Sequence, residues 1–221
     1  MYGLVVEQVR RAIHMGTYVP GDKLPPEREL AKHLGVSRTT VREAIRVLEG
    51  EGYVETRRGA TGGVTVLDRG QTEQRAGRLI KESMSELMQV IDFRLAVECR
   101  AVRLATERRT EEDLAKLTAA FTSMEPGQET ARFRAADSAF HLGIAEAARN
   151  SWMRKAIEDA RAAMWVPLDR YADHVFVTAQ AHHAQILQGL NDRDADAAEQ
   201  AVAAHIETTR RDLERIASAA D

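Results

Sequence analysis

LPPERELAKHLGVSRTTVREAIRVLEGEG, residues 24–52, reads as two short helices joined by a turn of a few residues. Pro25 and Pro26 suit a helix start, Leu30, Ala31 and Leu34 recur on one face, and Gly35 supplies the stop. Ser37 has the side chain to cap a second helix, which buries Val41, Ala44, Ile45 and Leu48 and finishes at Gly50. Two amphipathic helices so closely joined pack as a helix-turn-helix.

The first turn of the second helix carries the chemistry. Ser37, Arg38, Thr39, Thr40 and Arg42 set hydroxyls and guanidiniums around a helix N-terminus, where free N–H groups and the helix dipole already favour phosphate. Presented end-on to a major groove, Arg reads guanine O6 and N7, while Ser and Thr bond phosphates or touch a thymine methyl. The alternative is a solvated cap whose charges meet only water, and the flanking segments argue against it. Upstream, Leu4, Val5, Gln8, Val9, Ala12 and Ile13 keep helical spacing until Gly16 and Pro20-Gly21. Downstream, YVETR (53–57) and VTVL (64–67) read as strands around a Gly-rich tip, RGATGG, from which Arg57 and Arg58 reach the DNA backbone or minor groove. Cap, turn, second helix and wing stand in the order of a DNA-binding module.

The rest of the chain differs in charge. Residues 1–67 hold ten Lys or Arg against eight Asp or Glu, and the remainder 21 against 26, so a mildly basic front precedes an acidic back. A hydrophobic share of 44% with only 5% aromatics suits a helix-rich, soluble chain of 221 residues, long enough for two cores. No apolar run reaches the roughly 20 residues of a membrane span, and the N-terminus lacks a secretion signal; a cytoplasmic protein without a membrane partner is expected. The single cysteine, Cys99, has no internal disulfide partner and reads as a packing residue.

Asp68 to Thr72 look like a boundary, dividing a DNA-binding domain at 1–69 from a second domain at 70–221. Helical periodicity then predicts helices over 74–81, 85–108, 111–124, 129–148, 151–169, 175–190 and 193–217, six or seven in all, linked shortly enough to force an antiparallel bundle. The fold class is mainly α: a winged helix-turn-helix followed by an all-helical bundle. This region has no phosphate loop, nucleophile elbow, CxxC pair or HExxH run, and an enzyme is not expected.

Its notable polar residues are Asp137, His141, His183 and His205. Asp137 and His141 are four apart and share a helical face beside Phe140 and Ile144. His183 and His205 each lie roughly ten residues, about 15 Å of helix, from the turn at Asn191 to Asp194, so antiparallel packing brings them to similar heights. Three imidazoles and a carboxylate suit a divalent metal, zinc first, with nickel, manganese or iron also suited. The alternative for each histidine is a core hydrogen bond or a surface position. In DFRLAVECRAVRLA, Arg94 is either a guanidinium free to clamp a ligand carboxylate or the partner of Glu98 in an intrahelical ion pair. Both readings stand on the sequence alone.

The run from PGDKLPPERELA through VSRTTVREAI and LEGEGYV to the wing closely resembles the N-terminal domain of GntR-type regulators, over nearly all of residues 4–67. The resemblance implies specific DNA contacts from Arg28, Arg38, Arg42 and Gly59 and phosphate contacts from Thr39 and Thr40. The wing departs from the pattern, with Ala60 and Thr61 between its glycines. The ordered set Asp137, His141, His183 and His205 resembles the FCD effector domain of the FadR-like GntR branch. That resemblance implies a metal held by these four residues, His183 in preference to His182, and an effector carboxylate met by Arg94. It further implies a homodimer on a pseudo-palindromic operator, as a repressor released by a small carboxylate metabolite. A purely structural metal, or a metal-dependent enzyme, are the rival readings.

Overall fold

Ser37 starts the decisive helix as a side-chain cap: the Thr40 N–H donates to its Oγ at 3.0 Å. The helix before it ends at Gly35, whose φ of 64° is the left-handed stop that a Cβ would strain, with its N–H bonded to the Ala31 carbonyl. The computed structural model describes residues 2–57, 62–67, 73–124, 130–164 and 172–220, with backbone alone at 73–76, 130–131 and 172–178.

The chain divides into two units, Met1–Gly70 and Gln71–Asp221. The first holds α1 (Tyr2–His14), α2 (Glu27–Leu34), α3 (Arg38–Gly50), β1 (Val54–Arg57) and β2 (Gly63–Val66). The strands pair antiparallel from Val54 opposite Val66 to Arg57 opposite Gly63. The chain before α2 adds to the free side of β2, where the Leu24 N–H donates to the Val64 carbonyl and the Val66 N–H to that of Asp22. Val5 and Val9 of α1, Leu30 of α2, and Val41, Ala44, Ile45 and Leu48 of α3 form one core with Val54 and Val66. The wing tip at 58–61, which includes Arg58 and Gly59, lies outside the described residues, as do 68–72 and Pro126-Gly127.

The second unit has seven described helices: α4 (Glu73–Glu82), α5 (Met84–Arg108), α6 (Glu111–Thr122), α7 (Thr130–Ala147), α8 (Ser151–Ala163), α9 (Ala172–Asp192) and α10 (Ala195–Ala219). Their starts are written in local chemistry. Thr110 and Asp113 form a reciprocal capping box on α6, the Asn150 side chain accepts from the Trp152 and Met153 N–H groups on α8, and Asp194 caps α10 in the same way. The helix expected over 151–169 instead stops at Ala163, with Met164 as its C-cap. Apolar periodicity runs on through Trp165 and hides this end, although Pro167 lacks the N–H that a continuing helix needs.

α10 packs along both α5 and α9 and also meets α4, while α7 lies against α5, α6 and α8. Ile91, Val102, Phe140, Ile144, Ile186, Leu190, Ile206 and Leu213 fill the interior. α9 and α10 approach so closely at Gly189 that a Cβ there would lie 2.8 Å from the Ala198 nitrogen. Cys99 is half-buried against this core, and burial, then Glu199 and Glu98, push its thiol up to about 11. No helix among the described residues is long and apolar enough to cross a membrane.

Candidate functional site

In the first unit α3 presents its N-terminus outward. Ser37, Arg38, Thr39 and Arg42 are exposed, Thr40 is half-buried beneath them, and Arg28 is exposed on the first turn of α2. The first turn of α3 contains no acidic residue, so its free N–H groups and dipole remain available to an anion. Arg42 is engaged by Glu27: Nε donates to Oε1 at 3.2 Å and an Nη to Oε2 at 2.8 Å, a two-point pair across the α2–α3 turn. The hydrogen bond from Arg42 lowers the Glu27 pKa. Glu27 is a feature the motif reading did not single out; its place as the first residue of α2 only acquires meaning once α2 crosses α3.

In the second unit α7 contributes Asp137 and His141, α9 contributes His183 and α10 contributes His205. One donor atom from each lies within 4.8 Å of every other. His183 Nε2 is 3.2 Å from Asp137 Oδ1 and 3.2 Å from His141 Nε2, and His141 Nε2 is 3.7 Å from the same carboxylate oxygen. The His183 and His205 ring centres are 4.5 Å apart, and those of His141 and His205 5.0 Å. All three rings are buried, with exposures of 1%, 0% and 6% for His141, His183 and His205. His182, the neighbour set aside in the sequence, lies at the rim with its ring 6.2 Å from that of His205.

The electrostatics keep His141, His205 and Asp137 in a ligating form. Burial, reinforced by Arg161, lowers His141 to about 4, and burial with the neighbouring histidines holds His205 well below its usual value. Neutral imidazoles are what a metal binds. Asp137 would be raised by its burial, but Arg161 and the adjacent histidines hold it well below the carboxylate range. His141 Nδ1 lies 2.7 Å from Glu98 Oε2, so a proton on Nδ1 leaves the Nε2 lone pair facing the cluster. Metal–nitrogen bonds of about 2.0–2.1 Å around a tetrahedral ion separate the ligand atoms by roughly 3.3 Å. The spacings of 3.2 to 3.7 Å among Asp137, His141 and His183 therefore fit three ligands of a divalent cation, and His205 supplies a fourth donor atom within 4.8 Å of each.

Two residues that sequence spacing left out complete this site. Arg161 of α8 is ion-paired with Asp137 Oδ2, and Glu98 of α5 orients His141 while also holding Arg94 through its Oε1 at 2.5 Å. The intrahelical pair weighed for Arg94 is thus present. Arg94 is nonetheless incompletely engaged among the described residues: Nη1 rests 3.2 Å from the Met164 sulfur and Nη2 has no hydrogen-bond partner among them. Trp165 and Tyr171, candidate pocket residues, lie outside the described residues.

Comparison with known proteins agrees with this division. Residues 1–66 match the model for bacterial regulatory proteins of the gntR family, and residues 89–208 match the FCD domain. The Uxu operon transcriptional regulator of Escherichia coli K12 is 33% identical, over 96% of this chain and 86% of its own. The Exu regulon transcriptional regulator of the same organism is 32% identical over 95% and 83%, and its Glc operon transcriptional activator 28% identical over 96% and 89%. Among solved structures, E. coli McbR/YncC shares the fold, with a TM-score of 0.58 at 22% identity over 97% of this chain and 98% of that one. The chain belongs to the gntR family of bacterial regulatory proteins, with an FCD domain behind its helix-turn-helix, and is a DNA-binding transcriptional regulator and not an enzyme.

Proposed function

We propose that the protein is a cytoplasmic, ligand-responsive repressor that grips a pseudo-palindromic operator as a homodimer and lets go when a small carboxylate binds beside a divalent metal. The contacts to DNA come from Arg28, Ser37, Arg38, Thr39, Thr40 and Arg42, with Arg58 and Gly59 of the wing. Arg38 and Arg42 read base edges, and the hydroxyls hold phosphates. Two-fold symmetry sets the two α3 helices into successive major grooves. The metal, zinc by donor type, with nickel, manganese or iron as the other suited ions, is held by Asp137, His141, His183 and His205, and the carboxylate is met by Arg94.

The observation that carries this reading is the Asp/His cluster, whose four donor atoms lie within 4.8 Å of one another, in the same chain as a helix whose N-terminus is exposed and free of acids. The ligand shifts the DNA-binding equilibrium only by its difference in affinity for the two states. A thermal-shift series on the full chain, with mono-, di- and hydroxycarboxylic acids, with zinc and again with chelator, tests it. A metal-dependent rise for one group of acids, with operator release by the same acid, supports the sensor.

A second reading, a purely structural metal, is favoured by one feature: the four ligands come from three helices and are almost fully buried, as in a closed site. Stabilisation by metal with no response to any acid would select it. Operator binding strengthened by the acid would make the protein an activator or a co-repressed regulator.

A further inference from the structure

One side of α5 is left outward. The helix packs on α7, α8 and α10 and buries Ile91, Glu98 and Val102 on one side, while Phe93, on the opposite side, is 45% exposed. An exposed phenylalanine alone needs no partner. What singles this one out is the charge around it. Between Glu86 and Arg103 the other charged side chains of α5 are engaged within the chain: Arg94 by Glu98, Asp92 by Arg210, and Arg103 by Asp196 and Glu199. Glu86 and Arg100 are exposed and have no hydrogen-bond or ion-pair partner among the described residues.

Their spacing is symmetric. Glu86 lies seven residues before Phe93 and Arg100 seven after it. Seven residues fall about 20° short of two full turns and rise about 10.5 Å, so the three side chains form one stripe with the ring midway between opposite charges. Such a stripe is its own complement when turned end for end, as a two-fold contact requires: residue i meets j, and j meets i. The intervening positions agree with that pairing. Val90 and Ala96 each lie three residues from Phe93, and the smallness of Ala96 lets two helices approach.

We infer that α5 docks antiparallel on α5 of a second copy of this chain, with the two-fold axis passing at Phe93. Phe93 packs on the partner's Phe93, Glu86 faces the partner's Arg100 and Arg100 the partner's Glu86. A shallow crossing, near 20°, keeps both ends of the stripe in reach. The inference rests on the homodimer reading above and assigns it a face. It also puts the dimer contact on the helix whose buried side holds Glu98 against His141.

The test is sedimentation equilibrium of the full chain at low salt, over a range of protein concentrations, for the parent, Phe93→Asp, Glu86→Arg, Arg100→Glu and the double variant Glu86→Arg/Arg100→Glu. All these positions are exposed, and circular dichroism confirms that each variant is folded. Phe93→Asp is expected to sediment as a monomer. Each single charge reversal sets like charges together twice in a symmetric pair and should raise the dimer Kd about tenfold, an effect that salt reduces. The double variant restores opposite charges at both ends and should return the Kd to near the parent value. Dimerisation unchanged by Phe93→Asp would overturn the proposal and leave the α5 face to a different partner. A double variant weaker than either single reversal would overturn the antiparallel register. A parent that stays monomeric would remove the homodimer reading itself, and this inference with it.

Discussion

Arg109 and Arg193 each close the helix that the other follows. Arg109, just past the end of α5, donates to the Leu190 and Asn191 carbonyls at the end of α9; Arg193, just past α9, donates to the Thr106, Glu107 and Arg109 carbonyls at the end of α5. Terminal carbonyls have no partner within their own helix, and cations there also answer the helix dipole. The exchange locks the end of α5 to the hairpin that carries His183 and His205.

Arg109→Ala leaves the Leu190 and Asn191 carbonyls without their buried cationic donor and is expected to cost about 2–3 kcal/mol of stability. Denaturant unfolding of the full chain measures it. A change within about 0.5 kcal/mol, the scale of ordinary surface substitutions, would mean that water replaces the arginine without loss.

Glu98→Gln weakens the acceptor that holds His141 Nδ1–H and should reduce metal affinity about 10- to 100-fold, as loss of a ligand-orienting group does. His183→Ala and His205→Ala should reduce bound metal below stoichiometry, read by elemental analysis of dialysed protein. Stoichiometric metal in both histidine variants would move the site elsewhere.

Arg38→Ala is expected to weaken operator binding by about 1–3 kcal/mol with the fold unchanged, and the parent affinity should fall steeply with salt as phosphates recover their counterions. Glu27→Gln frees Arg42 from its two-point pair. If Glu27 aims Arg42 at the groove, affinity falls; if it only competes with DNA, affinity rises. A binding curve at fixed salt separates the two.

Asp113 supplies the pH dependence. Its burial favours the neutral form, yet the hydrogen bonds from Arg149 and Thr110 prevail and hold it at about 2. An unfolded Asp titrates near 3.9, roughly two units higher. The capping box thus contributes fully above about pH 5, and its contribution drains away as pH falls through the folded value. Asp113→Asn should cost about 1–2 kcal/mol at pH 7 and next to nothing near pH 2, compared by denaturant titration at the two pH values.

Gly189→Ala would set a Cβ against the backbone of Ala198, at 2.8 to 2.9 Å from its N and Cα, and is expected to destabilise by about 1–3 kcal/mol. Gly143→Ala meets only the tip of the Leu117 side chain, at 2.9 Å, and should cost less because that tip can turn away. Equal losses in thermal melts of the two variants would mean that α9 and α10 can part at no cost.

The chemistry that lies along the chain was legible; the chemistry that depends on helix crossings was not. Ser37 and Gly35 announce their helix ends because capping is local, whereas the last helix, expected from 193, starts at Ala195 behind the Asp194 cap. Asp137 and His141 share a face by spacing, and His183 and His205 come level because a short turn joins their helices. Arg161 is 24 residues from Asp137, at no spacing that predicts contact, and only the packing of α8 on α7 brings it there. Glu98 was visible as a partner for Arg94, but its second oxygen, turned to His141, required α5 and α7 to lie side by side. The end of α8 was misplaced because apolar periodicity continued past the last helical turn.

α10 is a single uninterrupted helix of 25 residues, about 37 Å long, with His205 near its middle. The same helix packs against α4, the first helix to follow the DNA-binding unit along the chain. A rod of this kind transmits displacement without any relay of side chains: whatever draws His205 toward or away from α7 carries the whole shaft with it. The Asp/His cluster and the helix that follows the DNA-binding unit are in that sense two points on one beam.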